Sequence, residues 1–267
     1  MSTLADEGFL SDETEAVVEK VRDTHGPWLL ELRTLNKLLV RSQYSLRVHR
    51  ESARELVCAA LYMRALTHCQ AAVLLIERGM DASARAMIRC AMEALFHLGA
   101  CAQDPAKALA FLDADEVQRK RRAEYFQQVQ DSNLRRMVAG SKVTEIIADS
   151  QRRIEELDAH GVNVREMARL AGLEEMYLTG YAWLCGAVHS SARDLEQHFE
   201  LGDTGEVRAL VNEPAIADLG ELCLTVGETM VLILQAVAPV FHLEVGDDCR
   251  AHLAHLHSLH GETAGAG

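Results

Sequence analysis

Arg85, Arg89, Glu93 and His97 recur every fourth residue along a stretch, Ala82–Ala102, that is otherwise mostly Ala, Met, Ile, Cys, Leu and Phe. On a helix that spacing makes one slowly drifting stripe. Arg64 and His68 lie one helical turn apart in the preceding apolar run, Leu56–Ile76. Ionised groups inside apolar helices cost free energy unless they are paired. The two runs are therefore expected to bury a polar cluster between them. Such a cluster can fix the register of the helices through an Arg–Glu pair. It can also bind a small anionic ligand, since perturbed charges mark sites as well as structural pairs. The residues alone leave both open.

A second constellation follows in Tyr177, Tyr181, Trp183 and His189. Tyr181 and His189 are eight positions apart, hence roughly on one helical face. His189 can serve as a packed, hydrogen-bonded histidine or as a proton-transfer group.

These residues must be positioned by helices. Asp12 and Glu15 form a capping pair for a helix to about His25, which Gly26-Pro27 stops. The next helix carries the stripe Leu29, Leu32, Leu35, Leu39. Helices are expected over about 51–78 and 81–102, joined by Gly79-Met80-Asp81 as an antiparallel hairpin. Asp104-Pro105 opens another, to about 130. Further helices are expected at about 133–139, 142–160, 164–171, 174–199, 214–241 and from Asp247 to about Gly261. No strand has a stronger case than its helical rival. The expected fold is all-α, a bundle of about eight to ten helices. It divides into an N-terminal arm at 1–48, a core at 49–243 with a polar excursion at 131–172, and a last helix and tail at 244–267.

Composition narrows the partners. The chain has 267 residues, 49% of them apolar, and a net charge of −13 from 27 basic and 40 acidic side chains. An acidic chain is not a general nucleic-acid binder, because phosphate repels it at long range. One stretch runs the other way. Residues 119–153 hold nine basic side chains against four acidic, with Arg119, Lys120, Arg121, Arg122, Arg135 and Arg136 the densest. That run is either a solvated helix face or a guide for RNA. Seven cysteines without a CxxC read as reduced, buried thiols. The first ten residues lack the pattern of an export signal, and a cytoplasmic protein is expected. Leu222–Phe241 is apolar enough for a membrane check, but Glu228 inside it favours a core helix. His252, His255, His257 and His260 share the last helix with an apolar ridge, Leu253, Leu256 and Leu259. Paired histidines can take up zinc or nickel, yet no HExxH occurs, and neither metal nor cofactor is expected.

Two resemblances enter here. The helix carrying Arg89-x-x-x-Glu93, followed later by Tyr181 and Val188-His189-Ser190, resembles an uncharacterised bacterial all-helical family with an R-x-x-x-E helix and a V-H-x-S segment. It covers about Leu56–Phe199 and makes Arg89, Glu93 and His189 the residues to test. Arg193-Asp194-Leu195-Glu196-Gln197-His198 is similar to the R-x4-H motif of the HEPN superfamily. That superfamily comprises all-α bundles, often dimeric, many of them metal-independent ribonucleases acting as toxins or defence effectors. The resemblance implies His198 as acid or base at the ribose 2′-OH and Arg193 as donor to the scissile phosphate. Five positions put the two about 140° apart on a regular helix. They converge only where the helix is interrupted or a dimer mate completes the site.

Two functions are thus expected. One is a homodimeric HEPN-like effector that binds and cleaves RNA through Arg193 and His198, with His189 nearby, answered by a neutralising protein partner. The other is a non-enzymatic helical module. In it Arg64, His68, Arg85, Arg89, Glu93, His97 and Tyr181 lock the bundle, or hold a small anionic ligand or a protein partner.

Overall fold

The computed structural model describes residues 2–131, 133, 134, 136, 142–189, 192–217 and 219–264. For residues 193, 194, 197, 263 and 264 it describes the backbone only. The fold is all-α apart from one small hairpin.

After two short turns at Leu4–Leu10, helix α1 runs from Thr14 to Gln43. The sequence predicts two helices parted at Gly26-Pro27; the structure carries one helix through, kinked at His25 (φ −118°, ψ 24°). Pro27 has no N–H to give and crowds the carbonyl four residues back, so a kink is the expected result. Its stripe Leu32, Leu35 and Leu39 is fully buried. The segment expected as an arm therefore contributes directly to the core.

Helix α2, Ala53–Ile76, is capped by Ser52, whose hydroxyl accepts the Glu55 N–H. Helix α3, Asp81–Gln103, returns along it. The link turns at Gly79, whose φ of +66° is in the left-handed region. A Cβ there would lie 2.7 Å from the Ala215 carbonyl oxygen, so glycine is required twice over. Helix α4, Pro105–Gln128, starts as the sequence predicts, with the Asp104 carboxylate accepting the Ala106 N–H at 2.9 Å. Helix α5, Val143–Leu157, packs on α4 away from the main core. Helix α6, Val164–Leu170, lies on α3, where Gly99 lets the backbones close to a distance at which an added Cβ would meet Ala171 at 2.7 Å.

The expected helix over 174–199 is broken. Glu174–Met176 leads into a π-helical turn at Tyr177–Tyr181, then α7 at Ala182–His189. Beyond it, a short helical piece at Ala192–Leu195 tightens into a 3-10 turn at Glu196–His198. Strands β1, Phe199–Leu201, and β2, Val207–Leu210, then form an antiparallel hairpin. Its turn contains Gly202 and a positive-φ Gly205. The alternation Phe199-Glu200-Leu201 is too short for its period to be read reliably.

Helix α8, Gly220–Phe241, packs on α1, α2 and α3 and closes the core. It starts at Gly220 rather than Pro214, and upstream of it Ala215 donates its N–H to the Gly79 carbonyl. Helix α9, Gly246–Ala264, lies across α8 and α1. Helices α2 and α8 are both long and apolar enough to cross a membrane, and about half of each apolar stretch is buried in this bundle. Cys58, Cys69, Cys101 and Cys223 are buried, and burial pushes their thiols up to between about 11 and about 12. Thiols so raised stay protonated and unreactive near neutral pH.

Candidate functional site

The polar stripe of α3 does not act as one cluster. It divides into a tight centre and outlying members. At the centre, Arg89 and Glu93 are one turn apart, with Nη1 of Arg89 3.3 Å from Oε2 of Glu93. The same carboxylate oxygen accepts a hydrogen bond from the Tyr181 hydroxyl at 3.0 Å. The Arg89 guanidinium lies over the Tyr181 ring, 4.8 Å from its centroid. Its Nε donates to the Cys185 sulfur at 3.4 Å. One carboxylate and one guanidinium thus tie α3 to both the π-turn and α7.

The surroundings explain the pairing. Tyr181 is buried and stacks on Tyr177 at 5.0 Å, and both meet the edge of buried Phe96. Burial, and after it the Glu93 charge, pushes the Tyr181 phenol well above its usual range. It therefore remains a hydrogen-bond donor at any physiological pH. For Arg89, burial opposes the charge, but the contacts to Cys185, Tyr181 and Glu93 outweigh it and raise the guanidinium further. The side chain of Arg89 is 17% exposed and that of Glu93 36%. The pair sits at the edge of the core, so its contribution is smaller than that of a fully buried one.

The other members of the expected cluster lie elsewhere. Arg85 pairs with Asp81 at 2.8 Å, not with Glu93, and its guanidinium is 6.0 Å from the Trp183 ring centre. His97 has drifted round the helix to pack 5.1 Å from the Phe111 ring on α4, with its Nδ1 buried and no hydrogen-bond partner among the described residues. Arg64 is exposed on α2. His68 is half-buried, and burial, with Arg64 beside it, lowers its pKa. His189 is exposed at the end of α7. Twelve positions on a 3.6-residue helix turn through about 120°, which is why His97 leaves the face that Arg85 begins.

The Arg193 side chain lies outside the described residues. His198 does sit where the helix is interrupted, on the 3-10 turn, with Nδ1 3.2 Å from the Val211 carbonyl. It rims a cavity of about 480 Å³ at the start of α3, shared with Asp81, Ala82, Ser83, Asn212 and Glu213. The basic run is largely answered by its own acids. Arg119 and Arg153 converge on Glu116, at 3.4 and 3.1 Å, and Arg152 and Arg119 on Asp149. Lys120 pairs with Glu124, Arg122 with Asp115, and Lys142 with Glu145. Arg121 donates to the Tyr125 hydroxyl at 2.8 Å. Arg136 is exposed, and Arg135 lies outside the described residues.

Sequence reasoning missed two things. Cys185 follows Tyr181 by one turn, a spacing that places both against Arg89. Glu31, buried on α1, is met by Nδ1 of both His252 and His255, at 2.5 and 2.8 Å. His257 meets Glu228 at 2.8 Å and His260 meets Glu221 at 3.6 Å. The four histidines of α9 are thus spent on carboxylates of α1 and α8. Among the described residues no group of three or more His, Cys, Asp or Glu side chains is arranged to hold a metal ion.

His97, packed on α4 away from this centre, carries a pH signature of its own. Burial lowers its pKa, and the Glu93 charge acts the other way without offsetting it. Its folded-state value is below that of the unfolded chain, so the unfolded chain takes up the proton first as pH falls. Stability associated with the neutral ring is present above the unfolded value of about 6.5 and is lost as pH drops through it toward the folded value. A His97→Leu variant lacks this loss. Melting curves from pH 7.5 to pH 5 should show the wild type losing stability relative to the variant; parallel curves would contradict a buried neutral imidazole.

No curated protein and no solved structure matches the chain significantly. One family does, over residues 55–207, a span that includes the α2–α3 hairpin, Arg89, Glu93, Tyr181, His189 and His198. With more than half its length matched, the chain belongs to DUF5677, a family of unknown function.

Proposed function

We propose that this chain is a non-enzymatic interaction module that recognises a protein partner through the π-turn and α7. The observation that carries this reading is Trp183. It is 50% exposed, held beside the Arg85 guanidinium, on a segment that the Arg89–Glu93–Tyr181 contacts fasten to the core. A rigidly seated tryptophan next to an arginine is the side-chain chemistry of an interface hot spot. Leu178 and Val188 are also exposed on this segment. π-Helical turns are uncommon and recur at functional positions. The guanidiniums are already paired within the chain, so a free anion would have to displace Glu93 or Asp81. A protein surface needs no such exchange.

The test is capture from the native host extract with wild type, Trp183→Ala and, as a surface control, Leu112→Ala. One protein should be retained in stoichiometric amount by wild type and control, and lost by at least tenfold with Trp183→Ala at unchanged melting temperature. Equal retention by all three would contradict the proposal.

A second reading, RNA binding and metal-independent cleavage, has one observation in its favour. His198 stands on the rim of a cavity into which the first turn of a 23-residue helix faces. A histidine there suits proton transfer at a 2′-OH. Labelled RNA incubated in EDTA with wild type and His198→Ala decides it. Cleavage that falls by two orders of magnitude or more in the variant supports this reading; no cleavage, or equal cleavage, removes it.

A further inference from the structure

Helices α1 and α2 run antiparallel and are tied by three polar bridges. The Tyr62 hydroxyl donates to the Leu39 carbonyl at 2.7 Å, the Gln70 amide to the Asn36 side-chain carbonyl at 2.9 Å, and Nε of Arg33 to the Glu77 carboxylate at 3.1 Å. Against the last two bridges, where α8 backs both helices, lies a hollow of about 270 Å³. Fully buried Leu32 and Met230, with Val73 and half-exposed Leu74, give it aliphatic walls. Arg33, Asn36 and Gln70 supply its polar lining. The volume falls just below the range for drug-sized ligands, so its occupant is small.

The charges beside this hollow do not cancel. Glu77 is 3% exposed, and one of its oxygens, Oε1, accepts from both Nε and Nη2 of Arg33. Its other oxygen is 4.0 Å from Nη2 of Arg22. Two guanidiniums thus share one carboxylate and leave a positive charge over. Arg85 and Arg89 differ, since each has a carboxylate of its own. Arg78, next to Glu77 in sequence, donates to the Leu74 carbonyl of its own helix at 3.3 Å and has no acidic partner among the described residues. Donors are left over as well. Nη1 of Arg33 and Nδ2 of Asn36 have no acceptor among the described residues, and the two side chains lie one turn apart on the face of α1 that lines the hollow. The net charge of −13 repels anions at long range, but physiological salt screens it beyond about 8 Å, so the nearby guanidiniums decide.

We infer that this hollow binds a small aliphatic monocarboxylate. The carboxylate takes the spare N–H groups of Arg33 and Asn36, and the Arg33–Glu77 pair stays intact. A guanidinium donating to a carboxylate forms one of the stronger hydrogen bonds in proteins, and here the spare positive charge offsets the acid's loss of water. The alkyl tail lies among Leu32, Val73, Leu74 and Met230. No aromatic ring lines the hollow, so nothing in it selects a flat ligand by stacking. A phosphate suits it less, because a second negative charge finds no second spare cation and the aliphatic walls would face a wholly polar group. The site is built by α1, α2 and α8 and is independent of Trp183.

The test is calorimetric titration of the full-length chain with hexanoate at about 0.15 M salt, with hexanol and hexylamine as matched probes. Hexanoate should bind with roughly millimolar affinity, and the alcohol and the amine at least about tenfold more weakly. Leu74→Trp sets an indole at a half-exposed position on the hollow and should weaken hexanoate at least about tenfold at unchanged melting temperature. Arg33→Lys keeps a cation for Glu77 but removes the second guanidinium edge, and should weaken hexanoate about fivefold while leaving hexanol unchanged. No hexanoate binding up to about 20 mM, or hexanol binding as tightly as hexanoate, overturns the inference. Hexanoate binding undiminished by Leu74→Trp overturns it too, because the acid then sits elsewhere.

Discussion

One carboxylate, Glu93, ties helix α3 to the 177–189 segment, and the reading of that segment as a surface depends on it. Its Oε2 receives Arg89 from its own helix and Tyr181 from a segment 88 positions away. α3 alone has no means of directing where residues 177–189 lie. The shared oxygen supplies that direction, since an ion pair and a hydrogen bond impose angles that apolar contact does not. Tyr177, Phe96 and Cys185 then pack around a geometry already set.

The consequence is an exposed surface on a segment fastened to α3. The π-turn adds a residue within the helical path and shifts the faces that follow it. Trp183 emerges half in water while Leu184 beside it is buried in the core. Preorganised exposure of this sort lowers the entropic cost of binding a partner. The segment packs on α3, which Gly79 turns back along α2.

Much of this was legible in the chain. The cap at Asp104, the turn at Gly79 and the apolar rods followed from residue types with known backbone preferences, whereas the cap at Ser52 was not read from the chain. Arg89 and Glu93 stood out because charge in an apolar helix demands a partner. Tyr181 was grouped with them, but its hydrogen bond to Glu93 itself was not readable, because contact between residues 88 apart is decided by tertiary packing. His97 was grouped with the pair by spacing along α3, and the helical drift separates it; Arg64 belongs to α2 and is exposed there. The break after α7 was hidden for another reason. Residues 174–199 have good helical composition throughout, and the π-turn and hairpin arise from how that segment must pass Phe96 and reach Val211. The histidines of α9 show the same limit: their number was plain, while the buried Glu31 that two of them meet lies more than two hundred positions away.

The most direct measurement is a double-mutant cycle on Glu93→Gln and Tyr181→Phe, read by urea unfolding. Both changes keep side-chain shape and remove, respectively, the charge and the donated hydrogen bond. If Glu93 is the shared anchor, the two losses are not additive and the coupling is about 1 kcal/mol or more, as for a hydrogen bond to a charged group near the protein edge. Losses that add to within about 0.3 kcal/mol would show that α3 and the 177–189 segment are held together by apolar packing alone.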